Sequence, residues 1–337
     1  MKKLISFLFI WPVYIIASGQ QDAQFSQNMF NKLAFNPGFA GMTHGQCISM
    51  IYRNQWVGFP GAPVTTMLNL NSYVPVIKGG VGFTAAEDKL GNEKNFSAEL
   101  SGSHHFNIFN GEISLGGRAG WMQKSFFDNW IATDGVQGDG SIPVAQSPMS
   151  YLDLGAGAFY LGMNDTYVGL SATHAFNTGN SIANHYFENV PHYYVTAGTK
   201  IPLPFMRSIV LKPSVLAKSD GRVAIFDVNM LALIKDKFWV GGSYRMTDAV
   251  VVMAGFMWGS LKIGYAYDIT TSEIKDHSSN THELMVSYCF KIIPKKPCTT
   301  HINPRLMGVG PPGRDCGCIT SKCVLMNVMN GEPNSVE

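Results

Sequence analysis

Beyond residue 19 the sequence has no long hydrophobic run, and charged residues are scarce throughout. Apart from Leu4–Ile16, no stretch approaches the ~20 apolar residues that a membrane-spanning helix needs. Only 14% of the residues are charged, whereas soluble domains carry about a quarter. These absences argue against both a helical membrane protein and an ordinary soluble domain. A net charge of +2 also provides no strong field, so we expect no nucleic-acid partner.

The N-terminal run has the length and the flanking residues of an export signal. Lys2 and Lys3 precede the apolar stretch, and Ala17-Ser18-Gly19 places small residues at the −3 and −1 positions. A signal core is about this long, whereas a spanning helix is longer. We therefore predict a signal peptide over 1–19 with cleavage before Gln20. A retained membrane anchor is the alternative.

After Cys47 the chain consists of short segments in which polar and apolar residues alternate. Between Gly111 and Lys124, Glu112 and Arg118 share one face, and Leu115 lies on the other. A period of two is the signature of a strand, and few charges with many glycines and aromatics suit a wall that faces lipid. We predict a transmembrane antiparallel β-barrel of about fourteen strands. They are expected at 47–53, 63–73, 79–86, 94–106, 111–124, 151–160, 166–175, 192–202, 207–217, 223–234, 237–245, 249–257, 260–268 and 281–290.

The connections between these strands alternate in length, which indicates how the barrel is oriented. One set is short: 74–78, 107–110, 161–165, 203–206, 235–236 and 258–259. The other set contains every long loop: 54–62, 125–150, 176–191 and 269–280. Outer-membrane barrels have short periplasmic turns and longer external loops. We therefore expect an N-terminal periplasmic or plug segment over 20–46, the barrel over 47–290, and an irregular periplasmic tail rich in Pro and Gly over 291–337.

The positions predicted to face the lumen carry as many acidic as basic residues. They are Glu99, Glu112, Asp227, Asp268 and Glu283, with Arg118, Lys124, Lys212, Arg245 and Lys262. Pairing of these side chains offsets the cost of burying charge, and we favour it over a pore lined for a charged solute. We predict no catalytic, cofactor or metal site. His104 and His105 point to opposite faces of a strand and cannot easily share an ion.

The cysteines fall into a barrel pair and a tail group. Cys47 and Cys289 lie in the first and last strands, which become neighbours when a barrel closes. The tail group is Cys298, Cys316, Cys318 and Cys323. Export to an oxidising compartment favours disulfides within the tail, with pairing left open. Free thiols and a zinc site are the alternatives, although C-x-C-x₄-C lacks the paired C-x₂-C spacing of zinc knuckles.

Short motifs follow one another through the chain in a specific order. They comprise Phe25, Ser26 and Gln27; Asn36, Pro37 and Gly41; Arg53, Gln55 and Trp56; Asp88 and Gly91; and finally Tyr265, Asp268 and Glu283. Together they resemble the F-S-Q, N-P-A-x-A-G, Y-R-x-Q-W, D-x-x-G and G-Y-x-Y-D elements of the PorP/SprF family of the type IX secretion system of Bacteroidetes. Gly38 departs from the family, which often has Ala there, and the tail has no counterpart that we can match.

The resemblance implies an outer-membrane component of the secretion and gliding machinery. Its partners would be outer-membrane lipid, a large secreted surface adhesin that it helps to deliver or hold, and periplasmic machinery proteins. The family implies neither catalysis nor a cofactor. Within this picture we expect Arg53 to pair with a lumen acid and Trp56 to act as an interfacial anchor. A pore or transporter for small solutes is the alternative function.

The tail cysteines give a direct test. Alkylation followed by mass spectrometry, with and without prior reduction, should label tail peptides only after reduction, because disulfide sulfur does not react with the reagent. Equal labelling without reductant would contradict disulfides in the tail.

Overall fold

The computed structural model describes residues 22–108, 110–126, 148–175, 180–182, 185–187, 190–206, 208–246, 248–276 and 278–290. The expected signal peptide over 1–19, the tail over 291–337 and the tail cysteines lie outside this part of the chain. Among the described residues, no helix has the length and apolar character needed to cross a membrane.

The wall of the molecule is a single antiparallel sheet that closes on itself. Its strands are β1 (Gln46–Asn54), β2 (Val64–Val74), β3 (Gly79–Leu90), β4 (Glu93–Ile108), β5 (Gly111–Phe126), β6 (Met149–Leu161), β7 (Tyr167–Thr173), β10 (His192–Gly198), β11 (Ile201–Pro202), β12 (Ile209–Ser219), β13 (Ala224–Ile234), β14 (Phe238–Arg245), β15 (Ala249–Trp258), β16 (Leu261–Thr270) and β17 (Thr281–Phe290). A separate hairpin, β8 (Asn180–Ile182) with β9 (His185–Phe187), lies in the connection between β7 and β10.

Closure follows from the pairing of the first strand with the last. β1 pairs with β17 along its whole length, from Gln46 opposite Phe290 to Asn54 opposite His282. β10 joins β7 to β12, and β11 continues β10 along the edge of β12. Counting β10 and β11 as one strand gives a closed 14-strand barrel, so the predicted fold and strand order are confirmed.

Side chains alternate across the wall as the period-two pattern predicts. Along β1, Met50 and Tyr52 point outward and are about half exposed, whereas Ile51 and Arg53 point inward and are buried. The outer surface is a band of large apolar side chains, which lipid covers in a membrane. Because half of each strand faces lipid and half faces the interior, few positions remain for charged residues.

The predicted strand boundaries lie within two residues of the observed ones except at the end of β3, and two of the differences have a local backbone cause. The loop expected at 87–93 is a tight turn between Leu90, the last residue of β3, and Glu93, the first residue of β4. The turn is this short because Gly91 adopts a φ of 58°, which glycine tolerates. The strand expected at 166–175 ends at Thr173, because His174 adopts a φ of 53° and leaves the sheet. Both changes lie at the same end of the barrel.

The two ends of the barrel differ in their connections. We call the end that carries connections 55–63, 127–148, 174–191 and 271–280 the long-loop end, and the opposite end the short-turn end. At the short-turn end, β2 and β3 are joined by the single 3-10 turn Pro75–Ile77, and β15 and β16 by a two-residue turn at Gly259. The parity of loop lengths noted in the sequence is therefore present in the barrel.

The interior of the barrel is filled by the residues that precede β1. We call residues 22–45 the inner segment. It folds as three short turns, the 3-10 turn Asn28–Phe30, the helical turn Lys32–Phe35 and the 3-10 turn Pro37–Phe39. Gln27, Asn36 and Ala40 within it are fully buried. The core of the molecule is thus the packing of this segment against the inward face of the wall.

Inward-facing glycines allow the wall to meet the inner segment at backbone distance. A Cβ atom at Gly80 would overlap Ala40 and Gly41, and one at Gly116 would overlap Pro37. The backbone of the inner segment therefore lies against the wall at glycines, which have no side chains. This close fit fixes the position of the segment along the wall.

Substituting Gly116→Val should loosen the inner segment, because the added side chain would occupy the place of Pro37. Overpacking of this kind costs about 1–3 kcal/mol, and we expect a lower unfolding temperature and faster proteolysis within residues 22–45. Gly102→Val is the matched control, because no atom lies within 4 Å of a Cβ built there. Identical unfolding of the two variants would contradict the close seating of the segment.

Candidate functional site

The inner segment passes through the lumen from the long-loop end to the short-turn end. At its start, Asp22 Oδ1 lies 2.7 Å from Nε2 of His174, the residue that follows β7. Near its end, the N–H of Gly41 donates to Asn71 (2.6 Å), and the carbonyl of Ala40 accepts from His105 (2.9 Å). Contacts therefore run along the whole length of the lumen.

Ser26 lies at the centre of a buried charge network. Arg53 contacts Asp268 at 2.8 Å and Glu283 at 3.0 Å, and it donates to the Ser26 hydroxyl oxygen at 2.8 Å. The Ser26 hydroxyl donates to Asp268 (2.6 Å). The backbone N–H groups of Ser26 and Gln27 donate to the two oxygens of Glu283 at 2.7 and 2.8 Å. The main chain of the inner segment thus donates hydrogen bonds to a carboxylate of the wall.

The same network continues to a second arginine on the neighbouring strands. Arg245 contacts Asp227 at 3.2 Å and Asp268 at 3.3 Å. Asp227 also accepts hydrogen bonds from the side chains of Gln24 and Asn28, each at 3.2 Å. Because an unpaired buried charge would be costly, each acid here is held by an arginine and by a donor of the inner segment. The donors are amides at Asp227 and Glu283 and the Ser26 hydroxyl at Asp268.

A second network lies on the opposite wall and ends at Asp22. Arg118 contacts Glu99 at 2.9 Å and Asp153 at 3.1 Å. Asp153 in turn accepts from Nδ1 of His174 (2.7 Å), whose Nε2 faces Asp22. His174 therefore lies between two carboxylates, one from the wall and one from the inner segment.

These contacts shift the pKa values of the two groups that lie outside the spanning strands. Burial raises the pKa of the Asp22 carboxyl, but facing His174, with His192 and Lys218, holds this pKa well below its usual value. Burial lowers the pKa of the His174 imidazole, but the charge of Asp22 and hydrogen bonds to Asp153 and Asp22 raise this pKa to about 10. At neutral pH His174 is then an imidazolium shared by two acids.

The lysines are distributed differently from the arginines. Lys124 contacts Glu93 at 2.8 Å near the long-loop end. Lys32, Lys212 and Lys262 instead line a cavity of about 330 Å³ toward the short-turn end. Within the described ranges none of these three forms an ion pair. Among the described residues, Lys212 and Lys262 therefore lie beside a cavity with room for hydration rather than in an ion pair.

The remaining predicted lumen acid lies at the short-turn end. Glu112 contacts His105 Nδ1 at 2.9 Å and His44 Nε2 at 2.8 Å. His104 points away from this pair, and its Nδ1 contacts the carbonyl of Ile77 at 2.9 Å. The neighbouring histidines therefore lie on opposite faces of β4.

Motif residues of the inner segment form its contacts with the wall. Asn36 accepts from the N–H of Gly38 at 2.8 Å, which caps the turn that begins at Pro37, and it donates to the carbonyl of Ala158 at 3.1 Å. Phe25 packs in a cluster of buried apolar side chains that reaches Leu233 and Trp239 near the short-turn end. Gly41 has a φ of 74°, which turns the chain toward β1.

Motif residues of the wall that lie outside the charge networks hold the connections at the long-loop end. The backbone N–H of Gln55 donates to Pro63 (2.9 Å), and that of Trp56 donates to the Thr281 hydroxyl (3.1 Å). Asp88 accepts from the Thr65 hydroxyl at 2.5 Å, and the N–H of Gly91 donates to the carbonyl of Gly61 (2.8 Å). Tyr265 differs, because it faces outward and its hydroxyl contacts His282 at 2.6 Å.

Two cysteines of the wall are covalently joined. Cys47 on β1 and Cys289 on β17 lie opposite each other and form a disulfide. The bond joins the first and last strands where they approach the short-turn end. It makes closure of the barrel covalent as well as hydrogen-bonded.

Sequence reasoning did not identify Asp22, Asp153, His174 or His192 as members of one cluster. They come from the inner segment, from β6 and from the two ends of one connection, so no fixed spacing links them. The signal that was present is that His174 and His192 flank the same long loop.

The barrel, its lipid-facing exterior and its occupied interior define an outer-membrane β-barrel protein whose lumen holds its own N-terminal segment. The family model described as "Type IX secretion system membrane protein PorP/SprF" matches residues 17–288. The chain therefore belongs to the PorP/SprF family and is an outer-membrane component of type IX secretion.

Solved structures resemble the chain in outline only. The outer membrane protein Omp33 of Acinetobacter baumannii has 6% identity and a TM-score of 0.43, covering 74% of this chain and 98% of that one. The toluene transporter TbuX of Ralstonia pickettii has 12% identity and a TM-score of 0.43, covering 79% and 93%. The KdgM porin has 11% identity and a TM-score of 0.34, covering 72% and 99%. No curated protein matches the chain.

The charge network around Ser26 predicts a large effect of a small change. Glu283→Gln should lower the free energy of unfolding by on the order of 3 kcal/mol, because it leaves Arg53 with one buried carboxylate fewer. Chemical unfolding of the purified barrel in detergent measures the difference.

The matched control for this substitution is Glu87→Gln, since Glu87 forms only solvent-accessible pairs, with Lys89 and Lys94, among the described residues. Exposed pairs contribute less than about 1 kcal/mol. Equal stability of the Glu283→Gln and Glu87→Gln variants would contradict the structural role of the network.

Proposed function

We propose that this chain is a non-enzymatic docking barrel of the type IX secretion and gliding machinery. It helps to secrete or anchor a large surface adhesin and binds periplasmic components of the apparatus. The main support is the lumen itself, which the inner segment occupies from end to end, so that the surfaces at the two ends are left for partners.

The buried networks support docking over conduction. Ser26, Gln27 and Asn36 are almost fully buried and hydrogen-bonded to the wall. Moving the segment aside would leave Glu283, Asp268 and their arginines without its donors, at a cost of several kcal/mol. A segment held in this way is a permanent filling rather than a gate that opens with each solute.

The short-turn end supports a contact with periplasmic proteins. Val76 is 93% exposed, Phe205 is 99% exposed and Met163 is 65% exposed, each at or beside the tip of a different turn. Apolar side chains at turn tips are a feature of interaction surfaces. By the loop-length rule this end faces the periplasm.

The long-loop end is the expected surface for the secreted adhesin. Connections 127–148 and 174–191 are the longest between strands of the wall, and barrels of this class present long loops to the exterior. Binding of cargo there and of machinery at the opposite end would place the barrel between the two.

A deletion strain tests this function. Surface display of one large secreted protein should be lost, while uptake of small nutrients stays normal. Wild-type protein should restore display, whereas Val76→Asp combined with Phe205→Asp should restore it poorly, because charge at the turn tips weakens apolar docking. Val76→Ile combined with Phe205→Leu is the control, since it keeps apolar side chains at the same two exposed turn tips. Unchanged display in the deletion strain would refute the proposal.

The alternative, a pore or transporter for small solutes, rests on the cavities of about 170 and 330 Å³ that lie against the inner segment. Planar-bilayer recordings of the purified barrel separate the two functions. A docking barrel should give no stable conductance, and a steady open channel would favour transport.

A further inference from the structure

Two imidazoles and a carboxylate converge where the inner segment meets the long-loop end. One ring nitrogen of His174, one ring nitrogen of His192 and a carboxylate oxygen of Asp22 all lie within 4.8 Å of one another. The rings of His174 and His192 are 5.6 Å apart at their centroids and nearly perpendicular. His174 follows β7, and His192 begins β10, so paired strands bring the two rings together.

Each imidazole is oriented by a contact of its Nδ1 atom, which leaves its Nε2 atom as the nitrogen that can bind an ion. His174 Nδ1 contacts Asp153 at 2.7 Å, and His192 Nδ1 contacts the carbonyl of Val190 at 2.9 Å. A carboxylate and a backbone carbonyl are the usual acceptors behind metal-binding histidines, because they fix the tautomer and the ring orientation. The carboxylate of Asp22 is held in turn by the Tyr194 hydroxyl, which donates to Oδ2 at 2.6 Å.

The Nε2 atom of His192 has no hydrogen-bond partner among the residues that the structure describes. The His192 residue is only 2% exposed, so solvent does not freely reach this atom. A buried polar atom without a partner destabilises the folded state. A ligand that accepts its lone pair would remove this cost.

We propose that Asp22, His174 and His192 bind a divalent transition-metal ion, with zinc as the best match, and that the ion fastens the inner segment to the barrel wall. Imidazole nitrogen with carboxylate oxygen is a ligand set that suits zinc, whereas calcium and magnesium prefer oxygen alone. The cluster lies beside a cavity of about 170 Å³, which has room for a water molecule as the fourth ligand.

The geometry requires only a local adjustment. A tetrahedral zinc ion with bonds of about 2.1 Å holds its ligand atoms roughly 3.4 Å apart. The distance between Asp22 and His174, now 2.7 Å, would lengthen. The His192 nitrogen, which lies within 4.8 Å of the other two ligand atoms, would move toward them. The ion displaces the proton that His174 Nε2 shares with Asp22, and this proton leaves to solvent.

Charges around the cluster act in opposite directions on the ion. Asp153 lies behind His174 and increases its strength as a ligand, while Nζ of Lys218 lies 2.6 Å from the backbone oxygen of Asp22 and repels a cation. Burial of His174 and His192 reduces competition from solvent. With the ion in place, coordination bonds connect the start of the inner segment to both ends of loop 174–191.

The inference does not depend on the docking function, and zinc binding to the purified full chain in detergent tests it. Free thiols are first alkylated so that the tail cysteines cannot take up the metal. Titration with chelator-buffered Zn²⁺ should then give saturable binding and raise the unfolding temperature, because a ligand that binds only the folded state stabilises it.

His192→Gln is the decisive variant, since the native Nε2 atom makes no hydrogen bond that its loss would remove among the described residues. It should weaken zinc binding by at least about 100-fold. Asp153→Asn, which alters the acceptor behind His174 and also removes a charge paired with Arg118, should weaken it by about 10–100-fold. His105→Gln is the control: His105 is an equally buried histidine beside Glu112 at the other end of the lumen, and its loss should leave zinc affinity unchanged. Failure of the native chain to bind zinc, or binding by His192→Gln with native affinity, would overturn the proposal.

Discussion

Lipid on one side of the wall governs how the rest of this molecule is built. A strand that crosses a bilayer must direct its apolar side chains outward, so every charged group it carries is sent into a narrow interior with little water. Arg53, Arg245, Asp268 and Glu283 are buried there almost completely. They are tolerable only because each has partners within hydrogen-bond distance, and the barrel wall by itself does not supply all of them.

The inner segment supplies what the wall lacks. The main-chain N–H groups of Ser26 and Gln27 donate hydrogen bonds to the Glu283 carboxylate. The Ser26 hydroxyl donates to Asp268 and accepts from Arg53. The side-chain amides of Gln24 and Asn28 donate to the Asp227 carboxylate. In return, inward glycines such as Gly80 and Gly116 leave space for its backbone. The polar, aromatic-rich character of the segment is therefore explained by its place inside the barrel, and the same occupancy favours a docking role over a conducting one.

The two halves of the lumen have different electrostatics, and this difference bears on function. Toward the long-loop end, arginines, acids and His174 form closed networks that hold the start of the inner segment. Toward the short-turn end, Lys32, Lys212 and Lys262 face a cavity. The long-loop end is therefore charge-paired, and the short-turn end carries cationic and exposed apolar groups. Two such different surfaces suit two different partners, as a protein between cargo and machinery requires.

The amino-acid sequence alone was enough to predict the fourteen-strand barrel, its strand order and the sides to which Arg53, Asp227 and Asp268 point, because period-two alternation is a local property that each strand carries independently. Only the tertiary structure decided which inward charges meet, that Lys212 and Lys262 line a cavity, and that Asp22, His174 and His192 converge. Those outcomes depend on how the wall closes and on the register of the inner segment within it. Contacts between residues more than a hundred positions apart leave no periodic trace in a single sequence.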